Sequence, residues 1–359
     1  MYGDSSNIPR SGLYLSRNPC DNRTGVAGRV KRCGGFCNGL TIGGSQMTHW
    51  TRRDFLRGTC CVTVATSCRW ARGANAQGGP YVDIHTHIGR TWNGDPPLTA
   101  DGLLAWMDAH NIIKAVVLPL VSPESSSYLN LTEQALDAAK QHPDRLIPFC
   151  CIDPRTSYRG GRAGLRSMIQ KYVDAGAKGL GEHKAGLPID HPKMMAIYEV
   201  CEDLHLPVLF HMDGERGTDA PGLPGLERAL SQFPTVNFIG HGPGFWASIS
   251  GGIAPADLGG YPTGPVQPGG ALDRLFATHR NLWGDLSVGS GANAFSRDRT
   301  FGQTFLIRHS DRLMFGTDYL KPGQEVPQFD LLPSFDLPPD IRARIERANA
   351  LSLLHIKTS

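Results

Sequence analysis

The chain has 359 residues, with a hydrophobic fraction of 40% and a charged fraction of 19%. This balance excludes wholesale disorder, which requires low hydrophobicity together with high net charge. No run of about 18 apolar residues occurs, so the sequence predicts no membrane-spanning helix. The formal net charge is +3, from 36 Lys and Arg against 33 Asp and Glu. Taken alone, this small positive sum would suggest an anionic partner.

The positive charge is concentrated at the start of the chain. Residues 1–76 contain 11 Lys and Arg but three acidic residues. The other 283 residues therefore carry 25 basic and 30 acidic groups, a net charge of −5. Because binding to a phosphate backbone depends on neutralising cations, this acidic part argues against a nucleic-acid partner.

A targeting signal accounts for much of the early charge. The segment Thr-Arg-Arg-Asp-Phe-Leu-Arg at 51–57 matches the twin-arginine export consensus at every typed position. A weakly apolar stretch at 59–68 and an Ala-Asn-Ala site at 74–76 follow, as is typical of a cleaved leader. We predict a twin-arginine signal peptide at 47–76, the Tat translocation machinery as a partner, and a periplasmic or secreted location. A disordered basic tail is the alternative, and lipoprotein anchoring at Cys68 is disfavoured by a poor lipobox.

Residues 1–46 do not belong to such a leader. They are rich in Gly, Asn and Arg without apolar periodicity, which predicts a disordered extension. Met47 lies five residues before the arginine pair, so we hypothesise that translation starts there. Cys33 and Cys37 could form a metal knuckle, but no second pair follows in a folded context. The three cysteines after residue 76 predict no disulfide framework.

From Tyr81 onward, short apolar runs alternate with segments of helical periodicity. Runs of this length, apolar on both faces, are typical of buried parallel strands. They lie at 81–85, 112–120, 146–152, 178–181, 207–211, 236–240, 282–286 and 313–317. Eight such units over about 275 residues predict an α/β fold, a single-domain (β/α)8 TIM barrel at 77–359 that follows the disordered leader. An open doubly wound sheet is disfavoured, because His-Thr-His replaces the usual Gly-rich loop after the first strand.

The connection at 243–270 is unusually long and rich in Gly and Pro. Loops of this length are usually functional or disordered. We expect it either to cover the substrate at the barrel mouth or to be a plain insertion. In the first case Phe245, Trp246 and Tyr261 would line the pocket.

Polar side chains end five of the predicted strands. His85 and His87 point the same way from the first strand, because side chains alternate along a strand. The carboxyl ends of barrel strands are where active sites form. Imidazole and carboxylate together suit Zn²⁺ or a similar divalent ion, which can activate water. The other strand-end residues of this set are Glu182, His183, His211, His241 and Asp318.

These motifs resemble the amidohydrolase superfamily, specifically the amidohydrolase-related metal-dependent hydrolases, from Tyr81 to His355. The resemblance of Asp-Ile-His-Thr-His implies His85 and His87 as metal ligands, and that of Pro-Val-Leu-Phe-His implies His211. The motif Phe-Gly-Thr-Asp implies Asp318 as a metal ligand and general base. His241, in the sixth-strand motif, would bind a second metal or orient and deprotonate the water.

The fourth strand departs from the usual pattern. Many relatives place a carboxylated Lys there, whereas this strand ends in Glu182, which resembles the bridging Glu of the TatD-like branch. The resemblance thus implies the ligands His85, His87, Glu182, His211 and Asp318 around one or two ions, with zinc the first choice. Lys184 is an off-register candidate for carboxylation.

We predict a hydrolase that uses a metal-bound hydroxide to cleave a small ester, lactone or amide, with Asp318 and His241 as catalytic residues. A metal-dependent, non-oxidative decarboxylase of an aromatic or related carboxylic acid is the alternative, and a non-catalytic exported metal-binding protein is the third. Asp285 would touch the substrate or be buried with an Arg partner. The substrate is a small molecule in either enzymatic case, and the sequence sets neither its identity nor the oligomeric state.

Overall fold

The computed structural model describes residues 80–156 and 159–356. The interpretations of residues 1–46 and 47–76 lie outside this part of the chain and stay predictions. Within it, the strands are β1 (Tyr81–Thr86), β2 (Ile112–Val117), β3 (Leu146–Pro148), β4 (Leu180–His183), β5 (Leu187–Pro188), β6 (Val208–His211), β7 (Gly217–Thr218), β8 (Phe238–His241), β9 (Leu282–Asp285) and β10 (Leu313–Met314).

Eight of these strands form a closed parallel barrel. One sheet has the order β1-β2-β3, and the other has the order β4-β6-β8-β9-β10. A parallel bridge from Cys150 to Leu180 joins the sheets on one side, and a bridge from Thr86 to Tyr319 joins them on the other. The predicted (β/α)8 TIM barrel is therefore confirmed. Strands β5 and β7 form a separate short parallel pair beyond the ends of β4 and β6.

The helices follow the strands in the expected alternation. They are α1 (Ala100–Ala109), α2 (Thr132–Gln141), α3 (Gly161–Asp174), α4 (Pro192–Asp203), α5 (Pro224–Gln232), α6 (Pro243–Ala247), α7 (Ala271–Thr278), α8 (Val288–Ser296), α9 (Arg299–Arg308), α10 (Gln328–Leu331), α11 (Pro339–Ala343) and α12 (Asn349–Leu353). A π-helical turn, Arg344–Ala348, joins α11 to α12, so the predicted closing helix is one interrupted helical segment. No helix in the described ranges is long and apolar enough to cross a membrane.

Two apolar layers hold the barrel. Alternate strand residues, among them Val82, Leu209 and Ile239, form one buried cluster, to which α12 adds Leu351. The other residues of the same strands pack against the surrounding helices. Burial on both faces explains why the strands read as continuous apolar runs in the sequence.

The long connection after β8 is partly folded into the core. It begins with α6, and a 3-10 helix occupies Pro255–Gly259. Phe245 and Trp246 are fully buried, and the Phe245 ring packs edge-on against Phe210. The prediction that these two aromatic side chains line the pocket is wrong, because both belong to the packed layer around the barrel. Tyr261 is exposed, at 53% of its surface.

Candidate metal centre

Three predicted ligands converge at the carboxyl end of the barrel. The Nε2 atoms of His85 and His87 lie 3.1 Å apart. Asp318 Oδ1 lies 3.4 Å from the first of these nitrogens and 3.1 Å from the second. Ligand bonds of about 2.0–2.1 Å in tetrahedral geometry place ligand atoms roughly 3.4 Å apart. The separations observed therefore suit one shared divalent cation.

Both histidines are oriented with Nε2 facing the centre. His87 Nδ1 lies 2.8 Å from the Leu118 carbonyl, which can only accept a hydrogen bond. His85 Nδ1 lies 2.6 Å from Asp285 Oδ2. Each Nδ1 therefore donates outward, so that Nε2 is the ring nitrogen presented to a metal, as outer-shell partners commonly arrange.

Asp318 completes this group from the loop after β10. Its backbone adopts φ of 51°, a left-handed conformation that Asp tolerates better than most residues. The Asp318 amide donates to the His85 carbonyl at 2.8 Å, and Gln324 Nε2 donates to the Asp318 carbonyl at 2.8 Å. Its Oδ1 is buried and makes no hydrogen bond within the described part of the chain. An acceptor of this kind, aimed at two nitrogen lone pairs, fits a bound cation.

Glu182 lies beside this group, and its buried Oε2, like Asp318 Oδ1, makes no hydrogen bond within the described part of the chain. Oε1 lies 2.9 Å from His211 Nδ1, and Oε2 lies 2.8 Å from Lys184 Nζ. Oε2 is also 3.5 Å from His87 Nε2, at the edge of the three-ligand group. The contact with Lys184 suits an ammonium group and would be repulsive for an anionic carbamate, so we do not propose carboxylation of this lysine.

His211 lies outside the three-ligand group, and its Nδ1 contacts Glu182 Oε1. Its second nitrogen, Nε2, lies 2.9 Å from Asp213 Oδ2, and Arg216 Nη1 donates to the same oxygen at 2.7 Å. Both ring nitrogens of His211 thus face carboxylates rather than the other histidines. Its assignment as a metal ligand stays a prediction.

His241 faces the centre from the end of β8. Ser287 Oγ lies 2.8 Å from His241 Nδ1 and donates to Asp285 Oδ2 at 3.0 Å. Because the serine proton is used in that second bond, His241 Nδ1 must donate to Ser287. His241 Nε2 is then an acceptor, 3.8 Å from Glu182 Oε1 and 3.9 Å from Asp318 Oδ2. This nitrogen can take a proton or bind a cation.

Asp285 is the carboxylate that orients both His85 and His241. Its side chain is fully buried, and its Oδ1 accepts from the Ser287 amide at 3.0 Å. Asp285 is therefore buried, as one of the two expectations had it, but its partners are His85, Ser287 and His241 rather than an Arg. Ser287 and Asp213 were missed in the sequence, although each lies two residues beyond a strand-end residue that was noted.

Burial and charge together set the protonation of the centre. Burial lowers the pKa of His85, but the carboxylates of Asp318 and Asp285 outweigh it and raise that pKa well above its ordinary value. Burial and the charge of His85 lower the pKa of His241. Burial raises the pKa of Asp318, yet His85 and His87 reverse this and lower it to about 2. The centre thus contains an ionised carboxylate, a neutral His241 and a position at His85 that attracts positive charge.

A closed parallel barrel with this ligand group at its carboxyl end defines the class of metal-dependent barrel enzymes. The chain is a member of the amidohydrolase family, whose sequence model Amidohydro_2 matches residues 82–356. Among curated proteins, no sequence matches the chain. The resemblance drawn from the strand-end motifs is therefore confirmed at the level of the family, and with it the prediction of a metal-dependent enzyme.

Several solved structures share the fold. An uncharacterized TIM-barrel protein from Bordetella bronchiseptica is 17% identical, with a TM-score of 0.55 over 77% of this chain and 99% of that one. A candidate 2-pyrone-4,6-dicarboxylic acid hydrolase from Pseudomonas putida is 15% identical, with a TM-score of 0.53 over 78% and 98%. Another candidate hydrolase of this kind, from Acinetobacter baumannii with bound citric acid, is 16% identical, with a TM-score of 0.50 over 77% and 100%. Identities this low show the fold alone.

Proposed function

We propose that the protein is a hydrolase that cleaves a small ester, lactone or amide with the help of one divalent cation, zinc being the first choice. The observation that carries this proposal is the convergence of His85 Nε2, His87 Nε2 and Asp318 Oδ1 within 3.1–3.4 Å of one another. Nitrogen and carboxylate donors in this number leave a coordination position open, as in catalytic zinc sites. When bound, such a cation lowers the pKa of a water molecule and polarises a carbonyl group.

Asp318 can accept the proton of the attacking water and return it. Asp318 has one oxygen toward the two histidines, and its Oδ2 lies 3.9 Å from His241 Nε2. Because its pKa is lowered to about 2, Asp318 is ionised at neutral pH and can accept a proton at Oδ2. The same oxygen can return that proton to the leaving group.

His241 has a positioning role in this proposal. The Asp285–Ser287–His241 chain fixes its tautomer, so that Nε2 accepts a hydrogen bond from the water and orients it. A neutral imidazole is required for this task, and burial lowers the pKa of His241 accordingly. His241 thus holds the water between Asp318 and the substrate carbonyl.

Tyr261 is the aromatic side chain that we assign to the substrate. Burial and the Asp318 carboxylate raise the pKa of its phenol. The ring also lies against Gly289 in α8, since a Cβ there would meet the Tyr261 hydroxyl at 3.2 Å. The hydroxyl of this largely exposed side chain can donate a hydrogen bond to a polar substrate.

Decarboxylation of an aromatic or related carboxylic acid is the second candidate. The observation that favours it is the Lys184 ammonium, which lies 2.8 Å from Glu182 and has further N–H donors beside the ligand group. A substrate carboxylate held there would lie next to the cation.

The product tells the two reactions apart. We would incubate the protein with panels of esters, lactones, amides and aromatic acids in H₂¹⁸O. Hydrolysis predicts one ¹⁸O atom in the acid product without release of carbon dioxide. Carbon dioxide release without ¹⁸O in the organic product would overturn the hydrolase proposal in favour of the decarboxylase.

We also propose export by the twin-arginine route. The support is the Arg52-Arg53 motif with its apolar stretch and Ala-Asn-Ala site. This route carries folded proteins, which would allow the centre to be loaded before translocation.

A further inference from the structure

We infer that a groove beside α1 and α10 binds an organic ammonium ion. The groove has a cavity volume of about 850 Å³, which lies within the range of small-molecule sites. Its lining residues are Trp106, His110, Gly289, Gln324, Glu325, Val326, Pro327, Phe329 and Asp330. None of the side chains of the metal centre is among them, so the inference does not depend on the proposed hydrolysis.

Three aromatic rings form one wall of the groove. The Trp106 ring centroid lies 4.7 Å from that of His110, and the His110 ring stacks on Phe329 with centroids 4.9 Å apart. Trp106 and Phe329 are partly buried against the core, so part of each side chain stays open to the groove. The face of an aromatic ring attracts a cation within about 6 Å, and Trp does so most strongly. This wall therefore suits a cation that carries apolar substituents.

The wall is fixed by contacts within the protein. The Trp106 ring stacks on Tyr319 with centroids 3.8 Å apart and an interplanar angle of 6°. His110 Nδ1 donates to the Trp106 carbonyl at 2.7 Å. Gln324, another lining residue, donates from its Nε2 to the Asp318 carbonyl at 2.8 Å. A wall that is already in place spares a ligand the cost of ordering it.

The groove offers carboxylates without a matching cation. Glu325 and Asp330 line it and are exposed. No ion pair within residues 80–156 and 159–356 includes either carboxylate. No Lys or Arg is among the lining residues. Two such carboxylates beside an aromatic wall complement a positive charge on an apolar body, as in a quaternary ammonium ion, and would repel an anionic ligand.

The test uses choline, a quaternary ammonium ion, titrated into the full-length protein by calorimetry at low salt. The comparison ligand is dimethylbutanol, the uncharged isostere in which carbon replaces nitrogen. The variants are Glu325→Gln with Asp330→Asn, which removes both charges, and Trp106→Leu, which removes the largest ring. Glu133→Gln with Asp137→Asn is the matched control, because these exposed carboxylates lie on α2, which does not line the groove.

The wild type and the control should bind choline saturably, and dimethylbutanol about tenfold more weakly. The double carboxylate variant should bind choline about tenfold more weakly, because each exposed ion pair contributes a factor of up to about five. Trp106→Leu should weaken choline binding by about fivefold through loss of the cation–π contact. If Trp106→Leu is unfolded, the carboxylate variant decides alone, since both of its changes are at exposed positions.

Three results would overturn the inference. They are the absence of saturable choline binding to the wild type, equal binding of choline and dimethylbutanol, and unchanged choline binding by the folded double carboxylate variant. Sedimentation velocity on the same samples tests a second copy of the chain as the occupant. A dimer that dissociates when choline is added would assign the groove to that second copy and overturn the inference, whereas an association state that choline leaves unchanged supports it.

Discussion

Replacing Asp285 with asparagine tests how the His85 ring is oriented to bind a metal. Asp285 Oδ2 accepts from His85 Nδ1 at 2.6 Å, while its Oδ1 accepts from the Ser287 amide at 3.0 Å. Asparagine has one acceptor oxygen in place of two. If that oxygen faces the Ser287 amide, the new NH₂ group faces His85 Nδ1 and forces its proton onto Nε2. If the amide is flipped, the buried Ser287 N–H is left without an acceptor.

Either arrangement should weaken metal binding. A hydrogen bond to a charged group contributes about 1.5–3 kcal/mol, and about 1.4 kcal/mol corresponds to a factor of ten. Loss of this contact therefore predicts a metal dissociation constant raised by about 10–100-fold, which is the usual effect of changing an outer-shell partner. The value of kcat/KM at limiting metal should fall by a similar factor.

Competition with a fluorescent zinc chelator would give the dissociation constant, and the far-ultraviolet dichroism and melting temperature would show whether the fold is kept. Asp273→Asn is the matched control, because Asp273 Oδ1 lies 2.8 Å from a ring nitrogen of His309 on the outer helices. The control should bind metal like the wild type. A folded Asp285→Asn protein with unchanged metal affinity would refute the account of how His85 is oriented.

Three further predictions concern other parts of the chain. Asp318→Asn should lower kcat/KM by about 10²–10⁴-fold with the fold intact, the range for loss of an acid–base group, and His211→Ala should also lower it, because the Nδ1 contact with Glu182 Oε1 is lost; steady-state kinetics on folded protein checks this, and near-normal turnover of Asp318→Asn would remove the proposed mechanism. Burial raises the pKa of Cys150 to about 12, so its alkylation by iodoacetamide at pH 8 should be about 1000-fold slower than for an ordinary thiol with a pKa near 9 and should quicken as pH rises; peptide mapping would show this, and rapid labelling of native protein would contradict it. Changing Arg52 and Arg53 to Lys together should keep the protein in the cytoplasm of a Tat-competent host, as fractionation would show, whereas unchanged export would argue against a twin-arginine signal.

The strand positions could be predicted because the barrel buries both faces of each strand. All eight predicted runs overlap a barrel strand, from Tyr81–Thr86 to Leu313–Met314. The residues at which the strands end were less predictable. The run at 146–152 contains a regular strand only over Leu146–Pro148, although the Cys150 amide still bonds the Gly179 carbonyl at 2.9 Å. Sequence shows where apolar residues are buried but not where a regular ladder stops.

The metal ligands could be proposed because parallel strands bring their carboxyl ends together, so His85, His87 and Asp318 meet although 231 residues separate the last two. The hydrogen-bonding partners of these ligands could not be predicted from the sequence. The Leu118 acceptor is a backbone carbonyl and leaves no trace in the residue type. Phe245 and Trp246 were misjudged because they lie in a Gly- and Pro-rich connection, while their burial depends on Phe210 and Phe295 from distant elements.

The most direct test of the central claim is removal and return of the metal on the intact protein. The protein would be stripped with a chelator, dialysed, and assayed on the ester, lactone and amide panel before and after addition of one equivalent of Zn²⁺ or Mn²⁺. Our account predicts that activity disappears with the metal and returns at one ion per chain, and that Asp318→Asn does not recover. Full activity in metal-free protein, verified by elemental analysis, would contradict it.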